Sequence, residues 1–241
     1  MIPVVLFDLD DTLFRHRHAV ETGIAAHLES LDLDSTDAAA RWHELEELHY
    51  PRYLTGELDL LGQRRVRSRE MMRPWALDLT SDHAADAWYD AYYRQYQRAW
   101  SLHDDALPCL DALAAGGARV GLITNGDLAF QTEKITAVGL DRRVEAVIAS
   151  GEVGVAKPDE RIFRHACAVF GVAPPEAMYV GDRLRTDAIG AASAGLVGVW
   201  LNRSGVTDPA QDALVEASGI AVISTLAELP GLAEAAGITA A

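Results

Sequence analysis

From about residue 118 onward, short apolar runs alternate with longer stretches whose apolar positions recur at helical spacing. "ARVGLITNG" predicts a strand closing in a turn, "LAFQTEKITAVGL" a helix stopped at Gly139, and "VEAVIAS" the next strand. "DERIFRHACAVFGV" predicts a helix with an acidic first turn after Pro158. It is followed by the strand "AMYVGDR", the small-residue helix "TDAIGAASAGL" and the strand "VGVWLN". The tail, "GIAVISTLAELPGLAEAAG", predicts one more short strand and a closing helix. A repeated β-then-α rhythm argues for a parallel sheet covered by helices. The opening strand, Ile2 to Asp8, with the apolar run Val4 to Phe7, is apolar on both faces, as a central parallel strand should be, and is expected to join the same sheet.

Residues 17–100 break this rhythm. "AVETGIAAHLESL", "DAAARWHELEELHY", "LLGQRRVRSREMM" and "DHAADAWYDAYYRQYQRAW" all carry helical spacing and no strand pattern intervenes. The block lies between the first and second strands, so it is an insertion into an α/β domain. The expected organisation is a core from residues 1–16 and 101–241 and an α-helical domain from 17–100. Arginines in "GQRRVRSRE" predict a solvated helix face. Trp88, Tyr89, Tyr92, Tyr93, Tyr96 and Trp100 recur at helical spacing and predict packing inside the insertion or at its interface with the α/β domain, ahead of a base-stacking platform, with a dimer surface as the alternative. Tyr50, Arg52 and Tyr53 are expected in a break between its helices.

Composition narrows the function classes. The formal net charge is −15, which argues against a nucleic-acid backbone as partner. No apolar run is long enough to cross a membrane. The N-terminus lacks a basic start and aspartates interrupt its apolar run, so it does not read as a signal peptide. Cys109 and Cys167 have no metal-type spacing and are read as reduced thiols of a cytoplasmic protein.

In open parallel sheets, ligands bind beyond the carboxyl ends of the strands. Asp8, Leu9 and Asp10 follow the first strand, and Thr124, Asn125 and Gly126 the second. The third leads to Lys157-Pro158, and the fourth to Gly181-Asp182 with Asp187 five residues on. Asp8 and Asp10 are two apart, so on an extended backbone they share a face. Carboxylates gathered this closely suit a hard cation such as Mg2+, which offsets their repulsion. A threonine, backbone N–H groups at a helix start and a lysine suit a phosphoryl group.

The ordered motifs "DLDDT", "LITNG", "AKP" and "GDRLRTD" resemble the haloacid dehalogenase-like hydrolase superfamily, over nearly the whole chain. The insertion resembles the α-helical cap that one subclass carries directly after its first motif. The resemblance implies a Rossmann-like core with strand order 5-4-1-2-3. It implies that Asp8 is the nucleophile, forming an aspartyl-phosphate and ligating Mg2+. Asp10 would be the general acid and then base, its backbone carbonyl also on the metal. Thr124 and the backbone around Asn125 and Gly126 would hold the phosphoryl group. Lys157 would neutralise charge, Asp182 would ligate Mg2+, and Asp187 would support it from behind.

Within the superfamily Asp10 favours a phosphomonoesterase, because an alkoxide leaving group needs a proton and a halide does not. The segments around "TNG" and "SGEVGVAKP" are similar to pyrimidine 5′-nucleotidases, N-acylneuraminate-9-phosphate phosphatases and flavin-pathway phosphatases. The expected substrate is a small phosphorylated metabolite such as a nucleotide, sugar phosphate or flavin precursor. A sugar-phosphate mutase or dehalogenase of the same superfamily is the alternative. A phosphorylation-switched receiver module is a remote one, since a receiver has no such helical insertion. Arg15, His16, Arg52 and Tyr53 are candidates for substrate contact. The chain is expected to act as a monomer or homodimer, away from membranes.

Overall fold

The structure is a computed structural model, and it describes residues 2–236. β1 (Val4–Phe7) opens the fold, and the chain then leaves it for α1 (His16–Glu29), α2 (Ala38–Leu54), α3 (Leu60–Met72) and α4 (Asp82–Arg98). It continues as α5 (Ala106–Ala115), β2 (Arg119–Thr124), α6 (Leu128–Ala137), β3 (Ala146–Ala149) and the single turn α7 (Ser150–Val153). After α8 (Glu160–Phe170) and β4 (Ala177–Gly181), a wide helical turn at Leu184–Ile189 runs into α9 (Gly190–Ser193). β5 (Val197–Leu201), α10 (Pro209–Ser218), β6 (Ala221–Ile223) and α11 (Leu229–Ala235) complete it. Two compact units result: residues up to Arg15 with those from Leu102 onward, and the inserted residues His16–Ser101.

The first unit is built on one parallel sheet of order β3-β2-β1-β4-β5-β6. The expected order 5-4-1-2-3 is present, and β6 adds a strand outside β5. β1 is central and wholly buried, which explains why none of its four residues is polar. α8 shows how the faces are covered. Ile162, Phe163, Ala166, Cys167 and Phe170 recur along one face and are buried against Val4, Leu6 and Tyr179 of the sheet. Each large side chain so buried contributes about 1.5–3 kcal/mol. The small-residue segment after β4 can lie close to the sheet because Gly198 of β5 has no side chain. A Cβ there would sit 2.2 Å from the Ala188 carbonyl oxygen.

From β1 the chain ran out to β3 and came back to β4 on the other side of β1. The ends of β1 and β4 therefore border the crevice where loops diverge to opposite sides, the favoured place for a ligand.

The inserted unit is helical throughout its regular elements among the described residues. Its core is aromatic. Trp42 is completely buried and meets Trp88 and Tyr92 edge to face, at centroid separations of 5.6 and 4.9 Å. Ser81 caps α4 by accepting from the Ala84 N–H, and Asp59 caps α3 through Gly62. Two local expectations need correction. The arginines of α3 do not all face solvent: Arg67 is buried, with its guanidinium 4.2 Å from the Trp42 ring centroid and 3.3 Å from Glu46. Arg65 and Arg69 pair with Asp82 and Asp86 of α4. Tyr50, Arg52 and Tyr53 also lie inside α2 and not in a break between helices. Pro51 removes one backbone donor, but it falls in the last turn, and Thr55 still donates to the Pro51 carbonyl.

Candidate active site

Each strand of the inner sheet delivers polar groups at its carboxyl end. The Asp8 N–H still donates to Val180 O at 2.8 Å, so Asp8 is held as an extension of β1 against β4. The chain then turns sharply. Asp11 adopts a left-handed backbone (φ 60°), and its N–H donates to Phe14 O at 2.7 Å. The turn brings the Thr12 hydroxyl back under the site. It donates to Asp8 Oδ2 at 3.2 Å and accepts the Asp182 N–H at 3.1 Å, tying the β1 loop to the β4 loop.

Lys157 is the hub. Its buried Nζ lies 2.6 Å from Asp8 Oδ1, 2.8 Å from Asp187 Oδ1 and 2.7 Å from the Tyr179 hydroxyl. The backbone that delivers it is gripped by Asn125, whose amide nitrogen donates to Lys157 O at 3.0 Å while its oxygen accepts the Lys157 N–H at 2.8 Å. Asn125 thus spends its side chain on aiming the lysine. The Lys157-Pro158 peptide is cis. Thr124, 1% exposed, accepts from Gln131 Nε2 at 2.8 Å. The Gly126 N–H is donated to Ser150 Oγ at 2.9 Å, which joins the β2 loop to the start of α7.

Asp187 is fixed from its other oxygen by the Arg183 N–H at 3.0 Å. It packs so tightly on β4 that residue 181 has to be glycine: a Cβ there would lie 2.4 Å from the Asp187 carboxylate carbon. Asp8, Asp182 and Asp187 each offer an oxygen within 4.8 Å of the others.

The electrostatics follow from this crowding. Burial pushes the Asp8 carboxyl up to about 6 despite the pull of Lys157, and Asp187 adds to the rise. Burial, then Asp8 and Asp187, push Asp182 up to about 8. For Lys157 burial acts to lower proton affinity, yet Asp187 and Asp8 outweigh it and hold the ammonium above its ordinary range. The ionised cluster is short of positive charge. All three acids offer hard oxygen donors, so their chemistry fits a hard divalent cation.

The structure therefore brings together Asp8, Asp182, Asp187 and Lys157, with Thr124, Asn125 and Gly126 on the adjoining strand end. Asp10 lies beside them, with both carboxylate oxygens on Lys134. Arg15 is half-buried where the first unit ends. His16, Arg52 and Tyr53 belong to the helical unit and are engaged within it. His16 Nδ1 is 3.0 Å from the Tyr96 hydroxyl and its Nε2 3.5 Å from Glu46. Burial alone would raise the Glu46 carboxyl, but Arg67, His16 and His43 hold it well below the usual range. Arg52 pairs with Glu57 at 2.7 Å and contacts His49, and Tyr53 packs on Tyr50. Sequence reasoning missed Thr12, Gln131, Lys134, Ser150 and Tyr179. One signal was available: Lys134 and Lys157 are the only lysines in the chain.

Comparison with known proteins agrees with this architecture. The chain is 34% identical to a phosphoserine phosphatase of Thermus thermophilus over 221 residues, covering 83% of this chain and 88% of that one. It is 43% identical to an N-acylneuraminate-9-phosphatase of Rattus norvegicus over 88 residues, 36% of each chain. The magnesium-bound crystal structure of the HAD-hydrolase YfnB from Bacillus subtilis superimposes with a TM-score of 0.78, covering 97% of this chain and 99% of that one at 19% identity. Residues 2–195 match the haloacid dehalogenase-like hydrolase family, and the chain belongs to it.

Proposed function

We propose that this protein is a Mg2+-dependent phosphomonoesterase that forms an aspartyl-phosphate, an acyl phosphate, on Asp8, acting on a small phosphorylated metabolite. The observation that carries the reading is the Asp8 site itself. A buried carboxylate at the end of the central strand is held by a lysine within an acidic cluster, with a second aspartate two residues on. The phosphatase names of both relatives support the same chemistry. Asp10 argues against halide release, which needs no proton donor.

In the proposed reaction an Asp8 oxygen attacks phosphorus as the ester oxygen departs. Asp10 gives its proton to that leaving oxygen. Water then attacks the phosphorus of the aspartyl-phosphate, its proton passes to Asp10, and inorganic phosphate leaves with Asp8 restored. Lys157 offsets negative charge on Asp8 and on the phosphoryl oxygens, and the Thr124 hydroxyl holds one of those oxygens. Asp8, the Asp10 carbonyl and Asp182 would hold Mg2+, with Asp187 steadying Lys157. The cation would supply charge neutralisation to the carboxylates and the phosphoryl group.

The inserted helices serve, on this reading, as the cap that selects the leaving group. Among the described residues no helix is long and apolar enough to cross a membrane. Both cysteines are free and buried, and burial pushes the Cys109 thiol up to about 12, so it is poorly reactive. Two cysteines without a disulfide suit a reducing cytoplasm.

A phosphate-release screen over nucleotides, sugar phosphates, phosphoserine and flavin precursors, with Mg2+ present, tests the function. Release from at least one alkyl phosphate, lost with a chelator and lost in Asp8→Asn, is expected. Turnover that survives in Asp8→Asn would remove the covalent route.

A further inference from the structure

α6 carries two polar residues on its buried face that the strand-end motifs do not include. Lys134 is 1% exposed, and its Nζ lies 2.6 and 2.8 Å from the two carboxylate oxygens of Asp10. The same Nζ sits 5.1 Å from the Phe130 ring centroid and 5.2 Å from that of Phe14. One turn earlier, Gln131 donates Nε2 to Thr124 Oγ1 at 2.8 Å and to Asp10 Oδ2 at 3.3 Å. Burying an ammonium is costly unless it is paired. The partner here is no deeply buried acid: the Asp10 side chain is 29% exposed. An arrangement serving packing alone would gain more from an apolar residue at position 134.

Residue usage sharpens the point. The chain has 21 Lys and Arg residues, and only Lys134 and Lys157 are lysines. Arginine, with its planar fork, fills every other cationic position, including the structural ion pairs Arg65–Asp86 and Arg203–Asp105. Lysine, a compact charge on a flexible stem, appears only where a cation is buried against an aspartate of the first motif. Lys157 holds Asp8. Lys134 holds Asp10.

We propose that Lys134 is a positioning residue for Asp10. It grips both carboxylate oxygens between two aromatic faces. Gln131 ties the same carboxylate to Thr124, so the proton donor keeps a fixed distance from the group that holds the phosphoryl oxygen. Lys134 exchanges no proton in the reaction. It fixes where the Asp10 carboxylate lies when its proton has gone to the leaving group and before water returns it. The inference rests on the acid/base role given to Asp10 above.

The test compares Lys134→Met in the native and the Asp10→Asn backgrounds, with Mg2+, on glycerol phosphate and p-nitrophenyl phosphate. A positioning loss of about 10- to 100-fold in kcat on glycerol phosphate is expected, with KM changed less than about threefold. The loss on p-nitrophenyl phosphate, whose leaving group needs little protonation, is expected to be smaller. In the Asp10→Asn background Lys134→Met is expected to change kcat by less than about twofold, because its target is already gone. An equal loss on both esters, or the same multiplicative loss in both backgrounds, would overturn the proposal. If Lys134→Met does not fold, Lys134→Arg carries the same comparison. It keeps the cation but replaces the point charge with a plane. A fall confined to the native background supports positioning, while no fall or an equal fall in both backgrounds overturns it. Asp10→Asn that leaves glycerol phosphate turnover intact would refute the acid/base reading itself and this proposal with it. A slow Asp10→Asn with additive Lys134 effects would refute only the proposal.

Discussion

The acidic cluster should make the metal-free protein less stable as pH rises, and a divalent cation should cancel the loss. An ordinary aspartyl carboxyl titrates near 3.8, whereas Asp8 titrates at about 6 and Asp182 at about 8 in the fold. A carboxyl raised in this way binds more protons folded than unfolded between its two values. Its contribution is therefore fully present below 3.8 and lost as pH climbs through the folded value. For Asp8 the loss is about 3 kcal/mol, since each tenfold change in proton affinity is worth about 1.4 kcal/mol. The Asp182 shift acts in the same direction, but the Asp8 charge is one of its causes, so the two shares overlap and do not add. With solvent trimming the rest, a combined loss on the order of 4 kcal/mol between pH 4 and pH 8, little more than the Asp8 share, is expected. Lys157 titrates above this window and stays charged throughout. At about 2–4 °C per kcal/mol, the melting temperature of chelator-treated protein should drop by roughly 8–16 °C over that range. Saturating Mg2+ should raise it more at pH 8 than at pH 5, because at pH 5 bound protons still occupy the cluster. Asp182→Asn should flatten the slope and make metal-free protein more stable than the parent at pH 8, although a proposed metal ligand is lost. Calorimetric melts of both proteins, with chelator and with Mg2+, check all three. A metal-free melting temperature that does not change with pH, or a Mg2+ increment equal at pH 5 and pH 8, would refute the reasoning.

Asp10→Asn should slow alkyl phosphates by about 10²–10⁴-fold and aryl phosphates by less, measured as kcat on paired esters. Gly181→Ala should cost roughly 1–3 kcal/mol, because the new Cβ meets an Asp187 carboxylate already fixed by Lys157 and the Arg183 N–H. Its denaturant midpoint should fall, and Mg2+ should no longer stabilise it as it does the parent. Trp42→Ala should cost about 3–5 kcal/mol in the helical unit, read as a lower denaturation midpoint with loss of the near-ultraviolet aromatic signal. A net charge of −15 should make stability rise with added salt at fixed pH, and melting temperatures that ignore ionic strength would contradict that expectation.

Much of the fold was legible because parallel strands buried on both faces are unbroken apolar runs. The residue after such a run marks the carboxyl edge. That logic placed Asp8, Thr124 and Asp182 at one edge without any knowledge of contacts. It could not place Lys134 or Gln131. They stand in the middle of a helix, where spacing says which face is buried but not what the face meets. Tyr179 was hidden in the same way, inside a strand where an aromatic reads as core, although its hydroxyl reaches Lys157. Tyr50, Arg52 and Tyr53 were expected in a break between helices, but they lie on α2; Pro51 between them falls in its last turn and forfeits only one bond there. Arg67 was read as solvated because charge patterns carry no information about a tryptophan ring arriving from another helix.

Charge balance connects these pieces. Four carboxylates, Asp8, Asp10, Asp182 and Asp187, meet at this edge with two lysines. Asp11 and Arg183 act on Asp182 with opposite sign. With all four ionised, these carboxylates and the two lysines together carry a formal charge of about −2, which would repel a phosphate dianion. Lys134 and Lys157 cannot close the gap, because each is already committed to an aspartate. A divalent cation would close it. Asp182, for which no lysine contact is seen among the described residues, is pushed up to about 8 by burial, Asp8 and Asp187, and there such a cation would relieve the deficit. With the balance near zero, Asp8 could stay ionised while buried, as its proposed role as nucleophile requires. Lys157 on Oδ1 and the Thr12 hydroxyl on Oδ2 already fix the direction of that carboxylate.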